Sequence, residues 1–219
     1  MDRNHLQDRI SWGMSVAART LGTRTDAYRP TRAESPVTPE TRYLRLNAAF
    51  SATDGRFSRP VGYGNALWHG FFDSAYTSPG DYLVQNTDIW FVAAQQPLMP
   101  VLCVQTNRRI TISRPAAPGN AGINSYGGVS LANSTLLISD WPASILGAAS
   151  AGHPDADLPS DSSVPYWSVL LPAMSFAGAP GILFRPSDLL VDELGRTAII
   201  AATELTDLGW RLTAKQATT

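Results

Sequence analysis

Pro79-Gly80-Asp81-Tyr82-Leu83-Val84 is followed, after three residues, by Asp88-Ile89-Trp90-Phe91-Val92-Ala93-Ala94. The pattern returns later as Pro186-Ser187-Asp188-Leu189-Leu190-Val191, then Arg196-Thr197-Ala198-Ile199-Ile200-Ala201-Ala202. In both stretches a Pro-containing turn leads into a short apolar strand, a polar tip and a second apolar strand, which is the signature of a β-hairpin. A hairpin that occurs twice predicts two related β units. Asp81 and Asp188 hold the same place in the two motifs, just after Pro-x. An aspartate there accepts hydrogen bonds from nearby backbone N–H groups, so both read as turn caps rather than as a catalytic carboxylate pair.

The strands continue outward from the first motif. Val101–Gln105 and Arg109–Ser113 follow closely, the latter alternating Ile110 and Ile112 with Arg109, Thr111 and Ser113. Thr41–Leu46 and Ala66–Phe72 precede it. Beyond the Ala/Pro/Gly/Asn-rich stretch 116–130, strands are expected at Ser134–Asp140, Tyr166–Leu171, Gly181–Phe184, Leu189–Val191, Thr197–Ala202 and Gly209–Ala214, with a helical turn at Trp141–Leu146. The expected fold is mainly β: two small antiparallel barrel- or sandwich-like units, 41–115 and 131–219, joined by a linker at 116–130 and with a flexible loop at 147–163.

The N-terminal 40 residues read differently. Leu6, Ile10, Met14, Ala17 and Leu21 recur at helical spacing over residues 3–21, with Asp2 or Asn4 to cap the start and Gly22 at the end. Residues 22–40 contain Pro30, Pro36 and Pro39 and little apolar periodicity, which predicts an extended arm. The helix and arm either fold back on their own chain or dock on a neighbour. If they dock, a chain lacking residues 1–40 remains folded.

Composition narrows the function. The 219 residues carry a formal net charge of −1, and only 16% are Asp, Glu, Lys or Arg, well under the roughly 25% usual for soluble domains. Such a surface suits a subunit buried among partners. It supplies no global field for nucleic acid or an anionic membrane. Arg3, Arg9, Arg19, Arg24, Arg29, Arg32, Arg42 and Arg45 bias the N-terminal region, which points to an acidic partner surface more than to phosphates. No apolar run has the length of a membrane span, and Asp8 and Arg9 interrupt any signal-peptide core, which points to folding in a cytoplasm.

Signatures of catalysis are missing. There is no G-x-S-x-G, H-E-x-x-H or C-x-x-C, and the glycines at 119–122 and 127–128 lie in no phosphate-binding context. Cys103 is the single cysteine and sits in an apolar strand, as a core residue does. His5, His69 and His153 are scattered, His153-Pro154-Asp155-Ala156-Asp157 is too short a cluster for a cation site, and Asp73 and Asp140 have no visible partner carboxylate. Trp68, Trp90, Trp141 and Trp167 could stack on sugars, but their apolar strands favour core packing. No catalytic, cofactor-binding or metal-binding residue is expected, and no cofactor.

Gly80–Val84, Trp90–Leu98, Pro100–Arg108 and Ile110–Pro115, together with the opening His5–Ile10 and the ending Asp207–Ala214, resemble a family of structural proteins encoded among the tail genes of tailed bacteriophages. The resemblance implies a non-enzymatic virion component, forming a homo-oligomeric ring in the tail tube, baseplate or head–tail junction. Its implied partners are copies of itself and neighbouring tail or neck proteins, assembled in the bacterial cytoplasm. The rival expectation is a receptor- or carbohydrate-contacting tail protein.

Overall fold

The computed structural model describes residues 3–52, 66–115, 134–147, 166–174, 176 and 181–216. It contains one long helix, α1 (Arg3–Leu21), and twelve strands: β1 (Thr23–Tyr28), β2 (Arg42–Ala52), β3 (Leu67–Phe71), β4 (Tyr82–Gln85), β5 (Asp88–Ala94), β6 (Val101–Gln105), β7 (Arg108–Arg114), β8 (Thr135–Gly147), β9 (Tyr166–Leu171), β10 (Leu189–Asp192), β11 (Thr197–Thr206) and β12 (Gly209–Gln216). The expectation of a mainly β protein with an N-terminal helix holds.

The strands form two closed antiparallel barrels. Around the first the order is β1-β2-β3-β6-β5-β4, and around the second β7-β8-β9-β12-β11-β10. These are the same order six strands apart. Two of their irregularities also coincide, while the second barrel has one more, between Ile110 and Ile112 on β7. Register shifts fall between Ala27 and Tyr28 on β1 and between Ile112 and Ser113 on β7, and again between Val92 and Ala94 on β5 and between Ile200 and Ala202 on β11. Bulges at matching points bend the two sheets alike and let each close without leaving an edge.

Each barrel closes where its first strand meets its fourth, β1 with β4 and β7 with β10. The seam is short, and one ion pair stands at its end in both barrels. Arg29 donates from Nε and Nη2 to Asp81 at 2.8 and 2.7 Å, and Arg114 does the same to Asp188 at 2.8 and 2.9 Å. The turn that presents the aspartate is also repeated. Asp81 N–H donates to Ser78 O and Asp188 N–H to Arg185 O, with positive φ at Gly80 and Ser187 as a type II turn requires. The carboxylates accept from the N–H groups of Ser78 and Arg185 at 2.8 and 2.7 Å, so they cap turns as the sequence implies.

Packing explains why the two sequences diverge around one frame. Across the seam, Ala27, Leu83 and Trp90 lie side by side in the first barrel, and Ile112, Leu190 and Ala198 in the second. Bulk moves from one wall to the other while the row stays filled, as close packing demands. Phe50 stacks on Trp90 with ring centroids 4.0 Å apart.

Several expectations are corrected. Residues 23–28 are no arm but strand β1, because Thr25 and Ala27 face the core and the charged alternates pair outward, Asp26 with Arg45 at 2.6 Å. Removing residues 1–40 would therefore delete a barrel strand and Arg29. Residues 30–41 lie on the second barrel, where Ser35 N–H donates to Ser139 O at 2.9 Å and the Trp141 indole donates to Ala33 O. Arg108–Arg114, expected to end the first unit, opens the second barrel, which moves the division between the units from 116–130 to the Gln105–Arg108 junction. Trp141–Leu146 continues β8 rather than making a helical turn, with Trp141, Ala143 and Ile145 in the core at alternate positions. Gly181–Phe184 has no strand pairing, although Phe184 is buried against Trp210. The stretches 116–130 and 148–163 lie outside the described residues.

Neutralising the buried carboxylate of either clamp weakens its charge-assisted hydrogen bonds to the arginine and the turn N–H and loosens the seam, which costs about 2–3 kcal/mol. Asp81→Asn and Asp188→Asn should each lower the urea midpoint accordingly; an unchanged midpoint would show the clamp to be decorative. Ser187 takes a conformation that disfavours side chains. Ser187→Gly should therefore stabilise by about 0.5–1 kcal/mol in the same assay, and a destabilised variant would contradict the matched-turn assignment.

Candidate functional site

Asp73, Asp81, Asp140 and Asp188 are each engaged structurally, whereas Asp155 and Asp157 lie outside the described residues. Asp73 accepts the Ala75 N–H at the start of a single 3-10 turn, Ser74–Tyr76. Asp140 accepts from Arg109 Nη1 at 2.8 Å and from Ser35 Oγ at 3.2 Å. Asp81 is bound by Arg29 and by the Tyr43 hydroxyl at 2.7 Å, and Asp188 by Arg114. The guanidinium groups of Arg29 and Arg114 are held above their ordinary values, first by these hydrogen bonds. Burial, then the bond to Asp81, pushes the Tyr43 hydroxyl up.

The other candidates fall into the core or stand apart. Cys103 is fully buried, and burial raises its thiol far out of the range of a reactive thiolate. His69, on β3, has no hydrogen-bond partner for Nδ1 among the described residues; His5 is exposed on α1, and His153 lies outside the described residues. Among the described residues no three His, Cys, Asp or Glu side chains gather as metal ligands would. Trp90, Trp141 and Trp167 are buried and Trp68 packs against the first barrel's core, so the tryptophans considered as sugar platforms are structural. The N-terminal arginines do not wait for an acidic partner as a group: Arg29 pairs with Asp81, Arg32 with Glu40, and Arg42 and Arg45 with Asp26.

What remains are clefts and faces. A cleft of about 550 Å³ runs along the barrel junction, lined by Asp88, Gln105, Asn107, Arg108, Ser144 and Glu193. Its charges compensate one another, with Arg108 3.4 Å from Glu193. A second, of about 390 Å³, is apolar and lined by Leu67, Phe91, Val104, Leu170, Leu208 and Trp210. Neither brings convergent unpaired polar groups to one point.

The outer face of the first barrel is consumed within the chain. Tyr82, Phe91, Ala93 and Val104 alternate with that barrel's inward residues and join the core cluster of the second barrel. Tyr82 packs edge-on against Trp141 with centroids 5.9 Å apart, and its hydroxyl donates to Pro142 O at 2.8 Å. Among the described residues, the matching face of the second barrel has no such cover. Leu189 pairs with Ile199 as Tyr82 pairs with Phe91, yet Ile199 and Ala201 are exposed.

Helix α1 presents a second apolar surface. Its packing side is Ser11 and Ala18, with Gln7 and Met14 beside them, rather than the stripe that includes Leu6 and Leu21, both of which are exposed. Ser11 Oγ lies 3.2 Å from Ser74 Oγ. Trp12 is 70% exposed and Val16 40%, one turn apart on the outward side. Sequence reasoning missed Trp12 as a surface residue; its one legible signal was that it falls off the apolar stripe. Searches of family models, curated proteins and solved structures return no match to this chain.

One acidic group gives the second barrel a testable pH response. Burial opposes the charge of Asp192, but Arg196, through its side chain and its N–H, and the Leu194 N–H hold its carboxyl below the usual value. Its contribution is therefore complete above the unfolded value near ~3.9 and is lost as pH falls through the lower folded value. Between about pH 5 and pH 2, unfolding free energy should fall more steeply in the wild type than in Asp192→Asn; parallel slopes would contradict the assignment.

Proposed function

We propose that this chain is a non-enzymatic structural subunit of a tailed-bacteriophage virion, assembling into a homo-oligomeric ring in the tail or at the head–tail junction. The observation that carries the proposal is the uncovered outer face of the second barrel at Leu189, Ile199 and Ala201, whose counterpart on the first barrel is fully covered. A surface that meets a different surface on the next unit makes a head-to-tail contact, and such contacts give a ring when the rotation from copy to copy closes. The low charge content and the paired, capped carboxylates support contact rather than chemistry as the task of the polar groups. A receptor- or carbohydrate-contacting role gains no support from Trp90, Trp141 and Trp167, which are buried.

The test is composition. Mass spectrometry of purified particles from a lysate of the encoding phage or prophage should find the chain in a fixed ratio to the capsid protein, at a copy number that fits a ring. Binding of the purified chain to host polysaccharides should be absent. A chain missing from complete particles, or one that binds or cleaves a glycan, would overturn the proposal.

A further inference from the structure

The junction inside the chain specifies how one copy meets the next. Asn107 links β6 to β7, and its N–H donates to Ala143 O at 3.0 Å. Gly22 links α1 to β1 at the matching point: Thr23 pairs with Ala48 as Arg108 pairs with Ala143, and Gly22 sits so close to Ala48 O that no Cβ fits there. The element that precedes the first strand is thus α1 in one barrel and the whole first barrel in the other. α1 packs on β2, β3 and the Ser74–Tyr76 turn. The equivalent surface of the second barrel, from Trp141 to Ala143 and on to Met174, is the one seated on Tyr82 and its neighbours. Helix α1 therefore stands on the first barrel where a preceding barrel would stand.

We propose that the occupant of the open β10–β11 face is the α1-covered end of the first barrel of a second copy of this chain. Leu189, Ile199 and Ala201 hold the places of Tyr82, Phe91 and Ala93, and the surface they meet is the outward helix side bearing Trp12 and Val16 in place of a bare barrel end. Both surfaces present apolar side chains to solvent in the single chain, Ile199 at 39% and Trp12 at 70% exposure. They differ from one another, so the association is heterologous and repeats from copy to copy. The inference rests on the ring-forming part of the reading above and names its contact.

The test uses complementary variants of the full chain, Ile199→Lys and Trp12→Lys, followed by sedimentation velocity. Both positions are solvent-facing, and a matching thermal midpoint checks that each variant folds; Ala201→Lys and Val16→Lys replace any that does not. Wild type should form multimers, and each variant alone should be monomeric, with association weakened at least tenfold. An equimolar mixture should form a species of two chains and stop there, because one intact helix then meets one intact face. A monomeric wild type, variants that assemble normally, or a mixture that stays monomeric would overturn the contact. If multimers form as described but particles lack the chain, the virion reading fails and the contact stands. If particles hold the chain while the variants assemble normally, the contact fails alone.

Discussion

The two barrels depend on a buried aspartate held by an arginine at the seam where each barrel closes. The carboxylates of Asp81 and Asp188 are 3% and 2% exposed. A charge so far from water is tolerated only when its oxygens are fully engaged. The arginine fork, the turn N–H and, in the first barrel, the Tyr43 hydroxyl provide that engagement. The geometry in turn dictates the sequence around it. A turn must place Asp three residues after the N–H it accepts, a residue with positive φ must precede Asp, and an Arg must end or directly follow the first strand. Arg29 and Arg114 also reach the carbonyls of Tyr76 and Leu183, each five residues before its aspartate, so even the approach to the turn repeats.

Local rules made much of this legible. The repeated hairpin signature located the strands at 82–94 and 189–202, alternation located 109–113, and turn chemistry identified Asp81 and Asp188 as caps. The arginines that complete the clamps were hidden, because they lie 52 and 74 residues away in sequence and no local pattern links them to their partners. Strand β1 was hidden too: Thr-Arg-Thr-Asp-Ala-Tyr buries little apolar bulk, and the bulk of its row is supplied by Leu83 on β4 and Trp90 on β5. The sequence predicts a helical turn at Trp141–Leu146, yet β8 runs through it and the Pro142 carbonyl serves Tyr82. Which barrel β7 belongs to is decided by long-range pairing with β8 and β10, about which its own alternation is silent.

The repeat also separates what is shared from what is particular to each half. The frame, the bulges and the clamp recur, whereas the outer faces differ according to what covers them. Tyr82, Phe91 and Val104 are large and apolar because a second barrel sits on them. On the second barrel the corresponding row is Leu189, Ile199 and Lys215, smaller and partly polar, as suits a surface that must stay soluble before it meets a partner.

Native-state hydrogen exchange on the Asp188→Asn chain tests the role of the seam most directly. If the clamp holds the seam, the amides of β7 and β10 should lose protection by about tenfold or more while those of β1 and β4 keep theirs. Uniform loss of protection across both barrels, or none at the β7–β10 seam, would contradict it.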